Sequence, residues 1–130
     1  MFVVTIDQET AKNDSFRAVR FTGKHTQVVV MTVQAGDDIG EEVHPDNDQI
    51  LAFTEGDARA EVGGEQRDVT AGDLVAVPAG TRHNFINTGS GPLRLITIYG
   101  PADHAPDTVH RTKAEAREAE AKGEDKPPQP

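Results

Sequence analysis

The stretch GDLVAVPAGTRHNFIN, residues 72–87, contains two short β-prone runs, LVAV (74–77) and HNFIN (83–87). Pro78 and Gly80 lie between these runs, and both residue types favour turns. Alternation along the second run places His83 and Phe85 on the same face of a strand. The stretch therefore predicts two strands joined by a turn that delivers His83.

Similar runs recur along the chain, rich in Val, Ile, Phe and Thr and separated by turn residues: FVVTI (2–6), FRAVRF (16–21), QVVVMTV (27–33), ILAF (50–53) and LRLITIY (93–99). Short runs at this spacing are typical of an antiparallel sandwich or barrel. The sequence GGE at 63–65 suits a tight hairpin, because glycine reaches positive φ without steric cost. The sequence therefore predicts an all-β fold.

The character of the chain changes after residue 100, where prolines exclude a strand interior. The sequence TKAEAREAEAK (112–122) then predicts a helix, with a capping box between Thr112 and Glu115 and a favourable pair between Glu118 and Lys122. The helix has no large apolar stripe, so we expect it to dock weakly. The predicted organisation is an N-terminal strand or arm at 1–15, a barrel at 16–100, a C-terminal segment and helix at 101–122 and a disordered tail at 123–130.

Composition excludes several classes of function. The 130 residues suffice for one domain, and 13 Lys and Arg against 22 Asp and Glu give a net charge of −9. That charge disfavours nucleic acids and anionic membranes as partners. The chain has no cysteine, which excludes disulfides and thiolate metal sites. With no signal peptide pattern and no long apolar segment, the sequence predicts a soluble protein of the reducing cytoplasm.

The stretch EEVHPDNDQ, residues 41–49, carries the remaining polar candidates. Glu42 and His44 share a face if this segment is extended, and Pro45 ends the strand before a turn. Together with His83, they have the composition of a 2-His-1-carboxylate metal site. Gln49 re-enters after the turn and offers a neutral oxygen ligand.

Four apolar residues are candidates for the wall of a substrate pocket. Leu51 and Phe53 share the face of Gln49 by strand alternation, and Phe85 shares the face of His83. Met31 lies in the longest apolar run. These side chains predict a partly apolar pocket beside the polar site.

The residues 36–56 and 72–87 resemble the two sequence motifs of the cupin family, G-x5-H-x-H-x(3,4)-E-x6-G and G-x5-P-x-G-x2-H-x3-N. The second motif is matched at every fixed position, namely Gly72, Pro78, Gly80, His83 and Asn87. The first is matched at Gly36, His44 and Gly56. The chain also looks similar to small bacterial single-domain cupins. This resemblance implies a double-stranded β-helix with a short C-terminal helix, and a homodimer.

Two positions of the first motif depart from the family pattern. Glu42 stands in the slot of the first histidine and Gln49 in the slot of the usual glutamate, while Asp48 is a competing candidate for that second slot. One carboxylate is thereby kept. The resemblance implies that Glu42, His44, Gln49 and His83 hold one divalent ion, with Fe, Mn, Ni, Co and Zn all open.

The resemblance favours a metal-dependent enzyme on a small organic substrate, with dioxygenase-like or isomerase- or lyase-like chemistry. The alternative is a non-catalytic cupin that binds a small molecule or sugar, in which Glu42 and Gln49 act as hydrogen-bonding groups. No catalytic residue is assigned. His25 is expected in a solvated turn and His110 has no assigned role. One hypothesis for His104 is that its segment folds over the barrel mouth and closes the pocket.

Overall fold

The computed structural model describes residues 1–128. Over this range nine strands and two helices form, and the strands build two antiparallel sheets with the orders β6-β3-β8-β2-β1-β9 and β5-β4-β7. The elements are α1 (Ile6–Ala11), β1 (Arg17–Thr22), β2 (Gln27–Val33), β3 (Asp48–Glu55), β4 (Asp57–Val62), β5 (Glu65–Thr70), β6 (Leu74–Val77), β7 (His83–Asn87), β8 (Leu93–Gly100), β9 (Val109–His110) and α2 (Lys113–Ala121). The predicted all-β fold with a short C-terminal helix is confirmed.

The two sheets share one hydrophobic core. Alternation along β3 turns Leu51 and Phe53 inward, where both are buried. Phe85 on β7 of the smaller sheet meets Phe53 with ring centroids 5.6 Å apart. Met31 on β2 is also buried in this cluster. The interior between the sheets is therefore filled with side chains, and burial of this apolar surface is what drives the sheets together.

The N-terminal region differs from the strand predicted at Phe2–Ile6. An extended arm leads into helix α1, which lies against the larger sheet. Thr10 of α1 is buried and accepts a hydrogen bond of 2.7 Å from Thr54 of β3. The apolar run is too short to decide between strand and helix, and the contact with the sheet favours the helix.

Helix α2 begins as predicted, since Thr112 and Glu115 form a complete capping box and Lys122 pairs with Glu118 at 2.9 Å. Its docking is stronger than its composition suggests. Lys113 binds Asp37 at 2.9 Å, and a second helix residue, Arg117, reaches the loop before Glu42. The expectation of weak docking is wrong, because ion pairs and hydrogen bonds replace the missing apolar stripe.

Arg117 packs against a glycine that the loop requires. Its Nη2 donates to the carbonyl of Ile39 at 3.0 Å. Gly40 has φ +109°, and a Cβ at this position would lie 1.7 Å from that same nitrogen. Glycine therefore lets the helix lie directly on the chain that leads to Glu42.

The tail that composition predicts to be disordered, 123–130, contains a buried side chain that binds another part of the protein. The side chain of Asp125 is only 2% exposed and lies 2.7 Å from His104. Residues 129 and 130 of that predicted tail lie outside the described residues. Neither of the helices found between residues 1 and 128 has the length and apolar character that a membrane crossing requires.

Candidate metal centre

Three of the predicted ligands are brought together by one short backbone bridge. Glu42 and His83 exchange two backbone hydrogen bonds of 2.9 and 3.0 Å, which lays the segment 41–44 beside β7. Two residues further on, the carbonyl of His44 accepts from the amide of Gly80 at 2.8 Å. One ligand atom from each of Glu42, His44 and His83 falls within 4.8 Å of the others.

The histidine rings are oriented by their second nitrogens. Nδ1 of His83 lies 2.9 Å from the carbonyl oxygen of Thr81, so it carries the proton and leaves the Nε2 lone pair available. Nδ1 of His44 lies 3.4 Å from a carboxylate oxygen of Asp103. Its Nε2 is 2.9 Å from Glu42 yet lacks the alignment of a hydrogen bond. An ion bound between the two residues would engage both atoms.

Gln49 presents a free oxygen to the interior. Its amide nitrogen donates to Thr97 Oγ1 at 3.1 Å and to the Tyr99 hydroxyl at 3.2 Å. Its Oε1 is buried and has no hydrogen-bond partner among residues 1–128. Asp48, the competing candidate, is exposed and accepts from the amide of Ala79 at 2.9 Å. Strand alternation thus turns Gln49, and not Asp48, toward the interior.

A buried arginine that the sequence reasoning missed supports the carboxylate. Arg17 at the start of β1 is 1% exposed, and its guanidinium lies 3.8 Å from Glu42 and 3.3 Å from Glu120. Arg17 is inward-facing with Val19, two residues later in the apolar run 16–21. The sequence signal for this buried arginine was a charged residue at a position that strand alternation places on the inward face.

The donor set and the sequence together identify the family. A model described as a cupin domain matches residues 29–99, which span β2 to β8 and contain all four predicted ligands. The chain belongs to the cupin family. YrkC of Bacillus subtilis (strain 168) is 46% identical over 125 residues, covering 92% of this cupin and 67% of YrkC.

Solved structures give the same result. The crystal structure of BH2720 from Bacillus halodurans is 44% identical with a TM-score of 0.89, and the match covers 91% of this cupin and 94% of BH2720. A structure of Bacillus subtilis oxalate decarboxylase, described by its Mn(II) centres, is 28% identical with a TM-score of 0.57. That match covers 63% of this cupin and 23% of the decarboxylase.

The residues of this cupin fit a divalent ion. The set offers one carboxylate, two imidazole nitrogens with their other nitrogens occupied by second partners, and one amide oxygen. Such mixed oxygen and nitrogen ligands suit first-row divalent metals. The orphaned atoms, Oε1 of Gln49 and Nε2 of His44, would each gain a partner. Within residues 1–128 neither atom has an aligned hydrogen-bond partner.

The pKa values of the two histidines at the centre are shifted in opposite directions. Burial lowers the pKa of His44, but contacts with Asp103 and Glu42 raise it to about 9. Burial also lowers the pKa of His83, and the neighbouring His44 charge adds to that effect, so the pKa lies below its ordinary value. Burial raises the pKa of Glu42, but His44 and Arg17 outweigh it and hold the pKa below its usual range.

A cavity of about 360 Å³ adjoins the centre, bordered by Glu42, His44, Asp103, His104, Glu120 and Asp125. Carboxylates predominate around it, and they face the cations Arg117 and protonated His44. The predicted pocket residues Met31, Leu51, Phe53 and Phe85 do not line this cavity, because they pack in the closed core. A larger cavity of about 590 Å³ between β5 and β6 contains none of the predicted ligands.

The remaining histidines lie apart from the ligand cluster. His25 is exposed, as expected for a turn. His110 is buried on β9, where it pairs in register with Arg17. His104 does border the cavity, in agreement with the hypothesis that its segment folds over the site.

Proposed function

We propose that this cupin is a metal-dependent enzyme acting on a small organic molecule, with one divalent ion held by Glu42, His44, Gln49 and His83. The observation that supports this proposal most strongly is that ligand atoms of Glu42, His44 and His83 lie within 4.8 Å of one another. The unpaired oxygen of Gln49 supplies a fourth. An ion with three or four protein ligands keeps positions open for substrate or water.

The ligand types favour manganese or iron over copper. Carboxylate and amide oxygens suit Mn(II), imidazole suits Fe(II) and Zn(II), and the site has no sulfur. The Mn(II) centres named for oxalate decarboxylase, a cupin of related fold, support this preference. A bound ion supplies Lewis acidity for isomerase- or lyase-like chemistry, or an O2-binding position for dioxygenase-like chemistry.

The charge around the cavity points to the class of substrate. Glu41, Asp103, Glu120 and Asp125 border it together with the ligand Glu42, and their summed charge exceeds that of Arg117 and protonated His44. A cavity of this sign attracts cationic molecules, admits uncharged ones and repels dianions. We therefore propose a neutral or amine-bearing substrate rather than a small dicarboxylate.

One observation favours the non-catalytic alternative, a cupin that binds a small molecule or sugar. Glu42 lies 3.8 Å from Arg17 and 3.6 Å from Arg117, so its charge is balanced without an ion. In that case Glu42 and the free oxygen of Gln49 would hydrogen-bond the ligand directly, and any bound metal would be incidental.

Turnover by the metal-loaded protein separates these functions. Untagged protein loaded with Mn(II), or with Fe(II) under anaerobic conditions, would be incubated with neutral sugars, hydroxy-ketones, amines and dicarboxylates and followed by NMR and O2 uptake. The proposal expects turnover of a neutral or amine-bearing compound that His83→Ala abolishes and His25→Ala retains. Stoichiometric binding of a compound without turnover under any metal would establish the non-catalytic function instead.

A further inference from the structure

His104 is rigidly held in the segment between β8 and β9. The side chain of Gln27 on β2 is fully buried, and its Oε1 accepts from the amides of Asp103 and His104 at 3.1 and 3.0 Å. Its Nε2 donates back to the carbonyl of His104 at 2.9 Å. The backbone at His104 is therefore fixed to the larger sheet at three points.

Asp125 from the C-terminal tail fixes the ring. One carboxylate oxygen lies 2.7 Å from Nδ1 of His104 and the other accepts from the amide of Ala105 at 3.0 Å. Burial raises the pKa of Asp125, but the contact with His104 outweighs it, so the pKa lies below its ordinary value. Because a carboxylate only accepts, Nδ1 carries the proton in this pair.

The opposite nitrogen of His104 has no partner. The ring is 3% exposed, and Nε2 is buried without a hydrogen bond to any residue from 1 to 128. A carboxylate oxygen of Asp103 approaches it at 3.5 Å without hydrogen-bond alignment. His44 and His104 both pack edge-on to the ring of Tyr99, at 5.6 and 5.1 Å. Both histidines border the same cavity.

We propose that His104 is a further catalytic residue of this site, whose Nε2 accepts a proton from a molecule bound in the cavity, and that Asp125 is its positioning residue. The inference rests on the proposed metal-dependent function. Nε2 takes a proton from an O–H or C–H of the bound molecule, and the bonding electrons stay on that molecule. Asp125 balances the charge of the imidazolium, which then returns the proton to the product.

The segment after β8 and the tail after α2 thus have a chemical role in addition to closing the cavity. An Asp behind Nδ1 leaves Nε2 as the acceptor and stabilises the protonated ring, which is the arrangement that a general base requires. The chemistry that this pair favours is relocation of a proton within a substrate, which a bound divalent ion would polarise. Hydroxy-carbonyl compounds are the uncharged class for which such a step is simplest.

The first test needs no substrate. Protein labelled with 15N-histidine and loaded with Zn(II), which is diamagnetic, would be studied by long-range 1H–15N correlation at neutral pH. The proposal expects His104 as the Nδ1–H tautomer with an unprotonated Nε2. An Nε2–H tautomer or a doubly protonated ring would overturn it. Asp125→Asn should remove the preference for one tautomer.

The second test uses acetohydroxamate, whose oxygens bind divalent ions and whose N–H can donate to Nε2. Its affinity for the Zn(II) protein should fall about tenfold in His104→Phe, the loss of one hydrogen bond to a charged or polarised group. His104→Gln keeps a hydrogen-bond acceptor and should retain part of the affinity. A loss in His104→Phe that is larger than in His104→Gln then reports the lost acceptor. His25→Phe is the matched surface control. Equal affinity in His104→Phe and wild type would overturn the role of His104.

The two proposals fail in distinguishable ways. Failure to bind Zn(II), Mn(II) or Fe(II) stoichiometrically would overturn the metal-dependent function, and the catalytic role of His104 with it. If zinc binds but His104→Phe leaves the hydroxamate affinity unchanged, the catalytic role of His104 is refuted and the proposed metal centre is not.

Discussion

Binding of a metal ion at this centre must displace a proton from His44. The contacts with Asp103 and Glu42 raise the pKa of this histidine to about 9 against the lowering effect of burial. At pH 7 the ring is therefore protonated about 99% of the time, and the proton on Nε2 competes with the ion. The apparent association constant for Mn(II) should rise about tenfold from pH 7 to pH 8 and level off above pH 9.

Isothermal titration with Mn(II) between pH 6.5 and 8.5, in buffers of different ionisation heat, would measure this dependence. About one proton should be released per ion at pH 7. Asp103→Asn removes the strongest contact that raises the pKa of His44, so its affinity should vary less steeply with pH. Asp68→Asn, an exposed position on β5, is the control. An affinity independent of pH, or binding without proton release, would refute the reasoning.

The same pKa has the opposite effect on folding. Because the folded-state pKa of His44 is raised, its contacts stabilise the metal-free protein fully below about pH 6.5, the ordinary histidine value. That stabilisation is lost as the pH rises through about 9. Metal-free protein should therefore lose this contribution over the range in which its affinity for the ion increases.

Further variants probe the ligand set, the buried charges and the assembly. Gln49→Leu should lower Mn(II) affinity by about tenfold or more in the same titration, and an unchanged affinity would remove Gln49 from the ligand set. Arg17→Met should lower the free energy of unfolding in urea by about 3 kcal/mol, because Glu42 and the buried Asp125 then lose the guanidinium that they share. Arg59→Met breaks an exposed pair and should cost less than about 1 kcal/mol, so equal losses would contradict the argument. We propose that the homodimer predicted from the sequence forms through the outer face of the larger sheet, where the paired residues Ile50 and Ile98 are 39% and 38% exposed. Ile98→Lys should sediment as a monomer, and a monomeric wild type would contradict this assembly.

Strands were predictable wherever apolar runs are dense. The runs 27–33, 74–77 and 83–87 coincide with β2, β6 and β7 to the residue. No apolar run indicated strands β4 and β5, because the residues of this hairpin are mostly polar or small. Their tight turn at 63–65 was recognised, since the glycines there have positive φ.

The candidate site was predictable to the extent that its signals are local. The spacing of Glu42, His44 and His83 follows from two short motifs, and the structure brings all three together. Arg17 meets Asp125 across most of the chain, and no periodicity encodes such a pair. Strand alternation correctly predicted that the candidate pocket residues face the interior. It does not reveal that they are close-packed there and leave no pocket between them.

Metal content and position test the central claim most directly. Untagged protein, purified without chelators, would be measured by mass spectrometry of its metals and crystallised for anomalous diffraction. We predict about one divalent ion per chain, lying between Glu42, His44 and His83, lost in His83→Ala and kept in His25→Ala. Metal far below one per chain after loading, or anomalous density away from these residues, would contradict the account.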